Sequence, residues 1–184
     1  MAVRRGVQFL ATDIWDTPDD GKRYEVIDGE LYVSPPPVWK HQNGLANLFS
    51  LLTGFIRAHN LGKIIPAPLG VILDEHNGLQ PDLVYISRER LNSVVTERGV
   101  EGAPDLVVEV LSPSTRARDK GVKMRRYAAA GIPHYWQLDP RNDSLEAYRL
   151  GEHGYERVGR FGPGSVFRPE LFPGLEISID ELWR

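Results

Sequence analysis

The chain has no cysteine among its 184 residues. That absence removes a disulfide framework, a thiolate metal site and a cysteine nucleophile together, and makes a reducing cytoplasm the natural compartment. Long apolar runs are also missing, so no stretch suits a membrane-spanning helix. The opening "MAVRRGVQFLATDIWD" carries a basic pair but no apolar run long enough for a secretory leader. No serine sits in a nucleophile-elbow pattern, and no glycine-rich loop has the spacing of a nucleotide cradle. The histidines, His41, His59, His76, His134 and His153, show no paired metal-ligand spacing. Positive charge is not in excess either. With a formal net charge of −3, any polyanionic partner must be held by a local basic patch.

What is present fits one compact domain over residues 1–184, with no repeat, linker or low-complexity tract. "RYEVIDGELYVS" alternates around Asp28-Gly29 and reads as a β-hairpin. "PPPVWK" cannot be regular structure. From His41 to His59, Leu45, Leu48, Phe49, Leu52 and Ile56 recur at helical spacing. "KIIPAPLGVILDE" predicts a strand broken by prolines and then a second strand, followed by a turn at His76-Asn77-Gly78. "PDLVYIS" predicts a buried strand, residues 88–103 a short helix or loop, and "DLVVEVL" the most apolar strand of the chain. "SPST" opens a helix with Ser114 or Thr115 as N-cap, running to about Ala130 and stopping at Gly131. "HYWQL" and "SLEAYRL" pair across a turn at Arg141-Asn142-Asp143, and the tail closes with a strand and a helical turn. Strand 105–111, helix 115–130 and strand 134–138 form a crossover unit. The expected fold is therefore α/β, with an α-β-β-β-α-β core, a mixed central sheet and an N-terminal hairpin.

Strand periodicity then sorts the acids. Asp105, Val107, Glu109 and Leu111 face one side of their strand, while Leu106, Val108 and Val110 face the other. Glu109 is thus surrounded by aliphatic groups, where an unpaired carboxylate costs several kcal/mol or becomes neutral. A bound cation or a salt bridge to an arginine of the next helix would each compensate it. Asp105 lies four residues away, about 13 Å along a strand, too far to share an ion with Glu109. Asp82 is the better partner. Its strand is expected beside 105–111, about 4.8 Å away, although a simple cap after Pro81 would also explain an acid there. Two such carboxylates with the backbone carbonyl of Val110 suit Mg²⁺ or Mn²⁺.

Lys123 follows on the next helix, four residues after Asp119 and on the same face. Its ammonium is either an exposed charge or a group that orients an attacking water beside the metal. Arg116, Arg118, Lys120, Arg125 and Arg126 have the composition of a surface that contacts backbone phosphates, and equally of a solvated helix face. Of the histidines, only His41 falls where a site is expected.

"RYEVIDGELY", "QPDLVYIS", the block "GAPDLVVEVLSPSTRARDKGVKMRRYAAAGIPHYWQLDP" and the closing "FPGLEISIDELW" resemble the Uma-two family, a widespread bacterial family of the PD-(D/E)XK, restriction-endonuclease-like superfamily. The resemblance runs from about Tyr24 to Trp183. It implies a divalent-metal nuclease cutting phosphodiester bonds, in DNA first of all, with Mg²⁺ or Mn²⁺ as cofactor. It places the superfamily's "PD" on Pro81-Asp82 and its second acid on Glu109. Leu111 stands where the superfamily has its lysine, and the resemblance makes Lys123 the substitute. Glu30, from the hairpin motif, and Asp119 are implied as further site residues. A non-catalytic nucleic-acid-binding or assembly module on the same fold is the alternative. A homodimer is the base-rate expectation for an enzyme that cuts two strands.

Overall fold

Asp28 and Gly29 both take positive φ, 54° and 75°, the twist that lets a two-residue turn join paired strands. Around them, Arg23–Ile27 (β1) and Glu30–Ser34 (β2) pair antiparallel, with Ile27 opposite Glu30. Along β1 the side chains alternate, so Arg23, Glu25 and Ile27 share one face. The computed structural model describes residues 8–184, so the basic pair Arg4-Arg5 and most of the leader reading lie outside the described residues. After the prolines at 35–37, a helix begins two residues before His41, at Trp39–Ala58 (α1). Its Leu45, Leu48, Leu52 and Ile56 are buried, as their spacing requires, and Phe49 packs at the edge of the same core.

Gly62–Pro66 (β3) and Val71–Asp74 (β4) follow. The chain then turns at residues 75–76, not across His76-Asn77-Gly78, and Asn77–Leu79 is a strand (β5). The reason is local. The Asn77 side chain accepts the Asp28 N–H at 3.0 Å and donates to the Asp74 carboxylate at 2.9 Å, which holds Asn77 in the ladder. Leu83–Ser87 (β6) is buried. The segment read as helix or loop contains a short helix, Leu91–Val94 (α2), and a strand, Val100–Glu101 (β7), parallel to β4. Leu106–Val110 (β8) is buried throughout.

The next helix, residues 116–129 (α3), is not uniform. A π turn at Asp119–Lys123 interrupts two α segments, Arg116–Arg118 and Met124–Ala129. The Asp119 carbonyl accepts the Tyr135 hydroxyl at 3.0 Å and the Gln137 amide at 3.2 Å, partners that compete with the ordinary helical ladder. With the widened turn, Asp119, Lys123 and Tyr127 are all buried on one face. Thr115 stands at the N-cap but makes no capping bond; Ser112 Oγ accepts the Thr115 N–H at 3.2 Å in its place. The far end stops as expected, with Gly131 at φ 80°.

His134–Asp139 (β9), Ser144–Gly151 (β10) and Gly154–Phe161 (β11) come next, the last a strand not singled out from the sequence. Val166–Phe167 (β12), Ile177–Ser178 (β13) and Ile179–Leu182 (α4) close the chain. The larger sheet has the order β11-β10-β9-β8-β6-β3, with β8 and β9 parallel and the other neighbours antiparallel. A second sheet, β2-β1-β5-β4-β7, carries the hairpin. Leu106, Val108 and Val110 pack against the α1 leucines, Trp136 and Phe172. Val107 lies on the opposite face with Ile27, Tyr127 and Tyr135. Glu109 therefore points into the layer between β8, α3 and the hairpin. Among the described residues, no helix is long and apolar enough to cross a membrane.

Arg116 fastens α3 to the end of β9 with a two-pronged bond to Asp139, at 3.0 and 2.8 Å. Burial acts to raise the Asp139 carboxyl, but Arg116, Asn142 and the Arg141 N–H overcome it and hold the group at about 2. A carboxyl depressed in this way stabilises the fold above its unfolded value, and that contribution is lost as pH falls through the folded value. Asp139→Asn is expected to lower stability near neutrality by roughly 1–3 kcal/mol. In urea unfolding the gap from wild type should close as pH falls from the ordinary 3.8 towards about 2.

Candidate active site

Register brings the two leading acids together. Leu83 of β6 lies opposite Val108 of β8, so Asp82, one residue before β6, falls beside Glu109. Both carboxylates are buried, at 1% exposure each. Each has one oxygen pinned by the protein and the other turned towards one shared cation. Asp82 Oδ2 accepts the Val110 N–H at 2.6 Å and lies 3.4 Å from His41 Nε2. Asp82 Oδ1 accepts a hydrogen bond from the Arg23 guanidinium at 2.6 Å. Glu109 Oε1 accepts the Tyr127 hydroxyl and is paired with the Lys123 ammonium, both at 2.6 Å. Glu109 Oε2 faces the other terminal nitrogen of Arg23 at 3.9 Å.

A second layer lies behind Glu109. Lys123 Nζ donates to Glu25 at 2.8 Å and stands 3.5 Å from Asp119, its neighbour across the π turn. Glu25 also accepts the Gln80 N–H at 3.0 Å. Glu25, Asp82, Glu109 and Asp119 thus converge on Arg23 and Lys123.

The environments drive these acids apart. For Asp82, burial is outweighed by Arg23, His41 and the Val110 N–H, and its carboxyl sits well below the usual carboxylate range. For Glu25, burial is likewise outweighed by Lys123 and Arg23, and the group is lowered. Burial dominates at Glu109. Lys123 opposes it, the charges of Asp119, Asp82 and Glu25 add to it, and the carboxyl is pushed up to about 8. Burial also raises Asp119.

A cleft of about 210 Å³ opens onto the first layer. Arg23, His41, Asp82, Glu109 and Val110 form its floor, with residues 35–38 as one wall and residues 112–115 as the other. Glu25, Asp119 and Lys123 do not line it. The Lys123 ammonium, 1% exposed, reaches the cleft only through Glu109.

The remaining sequence candidates disperse. Glu30 is exposed at the start of β2 and accepts the Tyr32 hydroxyl, away from the cleft. Asp105 is bound by Arg90 and the Ser87 N–H, apart from Glu109 as strand distance demands. Arg116, Lys120 and Arg126 pair with Asp139, Glu146 and Asp28. Arg118 lies over the Tyr32 ring and donates to Ser34 Oγ, and Arg125 is exposed. Arg23, Glu25 and Tyr127 were not among the sequence candidates. The alternation of β1 puts Glu25 on the face of the buried Ile27, but Val26 on the other face is equally buried, so alternation alone does not single Glu25 out.

Among the described residues, no group of three or more His, Asp or Glu side chains stands ready-made as a metal site. The donor chemistry still fits a hard divalent ion. Asp82 Oδ1 and Glu109 Oε2 both face the Arg23 guanidinium, and their partner oxygens are already fixed.

The fold is thus α/β with a mixed sheet, and its register sets Asp82 and Glu109 side by side. The chain belongs to the Uma2 family, described as "Putative restriction endonuclease", whose model matches residues 8–180. A similar solved structure comes from Anabaena variabilis ATCC 29413 and is described as "a putative nuclease belonging to DUF820". The two share a TM-score of 0.78 at 19% identity, over 95% of this chain and 97% of the other, a likeness of fold. No curated protein matches the chain.

Two outcomes follow from the buried charges. Lys123→Met leaves three carboxylates without their shared cation and is expected to cost roughly 3–5 kcal/mol in chemical denaturation. Glu109 is raised above its unfolded value of 4.5, so its ionisation costs stability increasingly as pH climbs towards about 8. Glu109→Gln should therefore be more stable than wild type above that pH, with the advantage fading to none near 4.5.

Proposed function

We propose that the chain is a divalent-metal-dependent endonuclease that hydrolyses phosphodiester bonds in DNA, acting as a homodimer in the cytoplasm. The observation that carries this reading is the Asp82–Glu109 pair on adjacent strands. Each acid keeps one oxygen fixed by its own partners and turns the other to Arg23, and both acids line the cleft. Asp82 and Glu109 would hold Mg²⁺ or Mn²⁺, with the Val110 carbonyl as a further ligand. When bound, such an ion lowers the pKa of a coordinated water and offsets charge on the phosphate.

The chain's own residues do the rest. Tyr127 and Lys123 fix Glu109, and Lys123 opposes the burial that pushes its carboxyl up, favouring the charged form that would hold the ion. Lys123 would thus serve the ion through Glu109. Val110 N–H and His41 fix Asp82. Arg118 and Arg125 are the cations of α3 without a carboxylate partner among the described residues, so they are the first candidates for phosphate contacts. Arg116, Lys120 and Arg126 would have to exchange an acid for a phosphate to join them.

Two observations favour a second reading, a non-catalytic module that binds nucleic acid or assembles with itself. Arg23 already balances the acid pair, and Leu111 stands at the superfamily's lysine position. The two readings part in one set of measurements. Supercoiled plasmid, linear duplex, single-stranded DNA and RNA are incubated with Mn²⁺, Mg²⁺ or EDTA. The nuclease reading expects metal-dependent cleavage that falls to the EDTA background in Asp82→Ala and Glu109→Ala. Cleavage persisting in Glu109→Ala would remove Glu109 from the assignment. For the module, no substrate is cut and Mn²⁺ leaves the melting temperature unchanged. A bound ion at a hundred times its Kd would add about 2.7 kcal/mol of stability.

A further inference from the structure

We infer that Arg23 is the resident counter-ion of the Asp82–Glu109 pair and moves from it to a phosphate of the nucleic acid when a divalent ion enters, so that metal and substrate bind cooperatively. The inference rests on the metal-nuclease reading and concerns a residue to which that reading gives no role. The guanidinium bridges the two acids, 2.6 Å from Asp82 Oδ1 and 3.9 Å from Glu109 Oε2. Among the described residues, no other side chain or backbone donor holds these two oxygens, so an ion and Arg23 would compete for the same lone pairs.

The two contacts are unequal. The Asp82 bond is short, whereas the Glu109 contact is longer than a hydrogen bond, so one strong bond has to be given up. Lys123, by contrast, is 1% exposed and tied to Glu25 and Glu109, and it has nowhere to go. Arg23 keeps 20% of its side chain exposed and lines the cleft, so the displaced group emerges where a phosphate would lie. Arginine's planar fork suits that destination, because it pairs with phosphate oxygens two at a time.

Without nucleic acid, metal entry must strip Arg23 of its carboxylates and leave it beside a second cation. With a phosphate at hand, the guanidinium exchanges one anion for another. Metal and nucleic acid therefore strengthen one another's binding, and by linkage the coupling is the same in both directions.

The test uses purified wild type, Arg23→Met and Lys22→Met, the last removing a neighbouring charge that pairs with Asp20 and does not bridge the acids. Mn²⁺ binding to each protein alone is measured by the electron paramagnetic resonance signal of the free ion. Binding of a short phosphorothioate DNA duplex is measured by fluorescence anisotropy with and without Mn²⁺. Arg23→Met is expected to bind Mn²⁺ alone roughly ten-fold more tightly than wild type, an ordinary size for coupling between sites. Lys22→Met should stay close to wild type. Mn²⁺ should tighten duplex binding in wild type and do so several-fold less in Arg23→Met. Arg23→Gln, whose neutral amide leaves the acids without their counter-ion while keeping a polar side chain, gives the same reading if the methionine variant does not fold.

Equal Mn²⁺ affinity in wild type and Arg23→Met, or an equal gain in Lys22→Met, would overturn the displacement of Arg23 while leaving the metal site standing. An absence of Mn²⁺ binding in every variant, with or without duplex, would overturn the metal-nuclease reading and this inference with it.

Discussion

The arrangement depends on a buried ammonium. Lys123 sits among Glu25 from the hairpin, Glu109 from the central sheet and Asp119 from its own helix. Three separately folded elements meet at one charge. Such a contact contributes little net stability compared with an apolar replacement of all its members, because each charge loses its water. What it contributes is position. Once the sheet, hairpin and helix are assembled, Lys123 and Tyr127 leave Glu109 a single orientation, with one oxygen held and the other available.

The π turn belongs to the same constraint. In an unbroken α-helix the drift of side chains around the axis would separate Asp119 from Tyr127. The widened turn at Asp119–Lys123 brings Asp119, Lys123 and Tyr127 into one buried row, and Tyr135 and Gln137 hold the turn by its carbonyl. A local irregularity that is unfavourable in an isolated helix is stabilised here by two side chains of the neighbouring strand.

Parts of this were legible in the sequence because they follow from short-range rules. Alternation along "DLVVEVL" places Glu109 on one face and Leu106, Val108 and Val110 on the other, and the packing follows that division. The cost of a lone acid in that strand led to Asp82 and Lys123, and the register of β6 on β8 and the contacts of Lys123 bring all three within one network. Arg23 and Glu25 were hidden for a different reason. Taken alone, a charged strand beside a tight turn looks like a solvated hairpin, and only the docking of α3 across β1 makes its inner face a buried one. Glu30 has the same composition and lies three residues past Ile27, yet it is exposed because that docking favours the other strand. The π turn left no mark in the residue pattern, since it depends on side chains of β9.

The two walls of the cleft differ in kind from its floor. Residues 35–38 and 112–115 are irregular backbone rich in proline, serine and threonine, and none of them carries a charge that pairs with the acids beneath. The floor comes from strands and helices locked in a closed network of ion pairs and hydrogen bonds. Changes in these two surface segments would therefore reshape the cleft while leaving the acid pair of its floor in place. One scaffold of this kind can be retuned to new partners without being rebuilt.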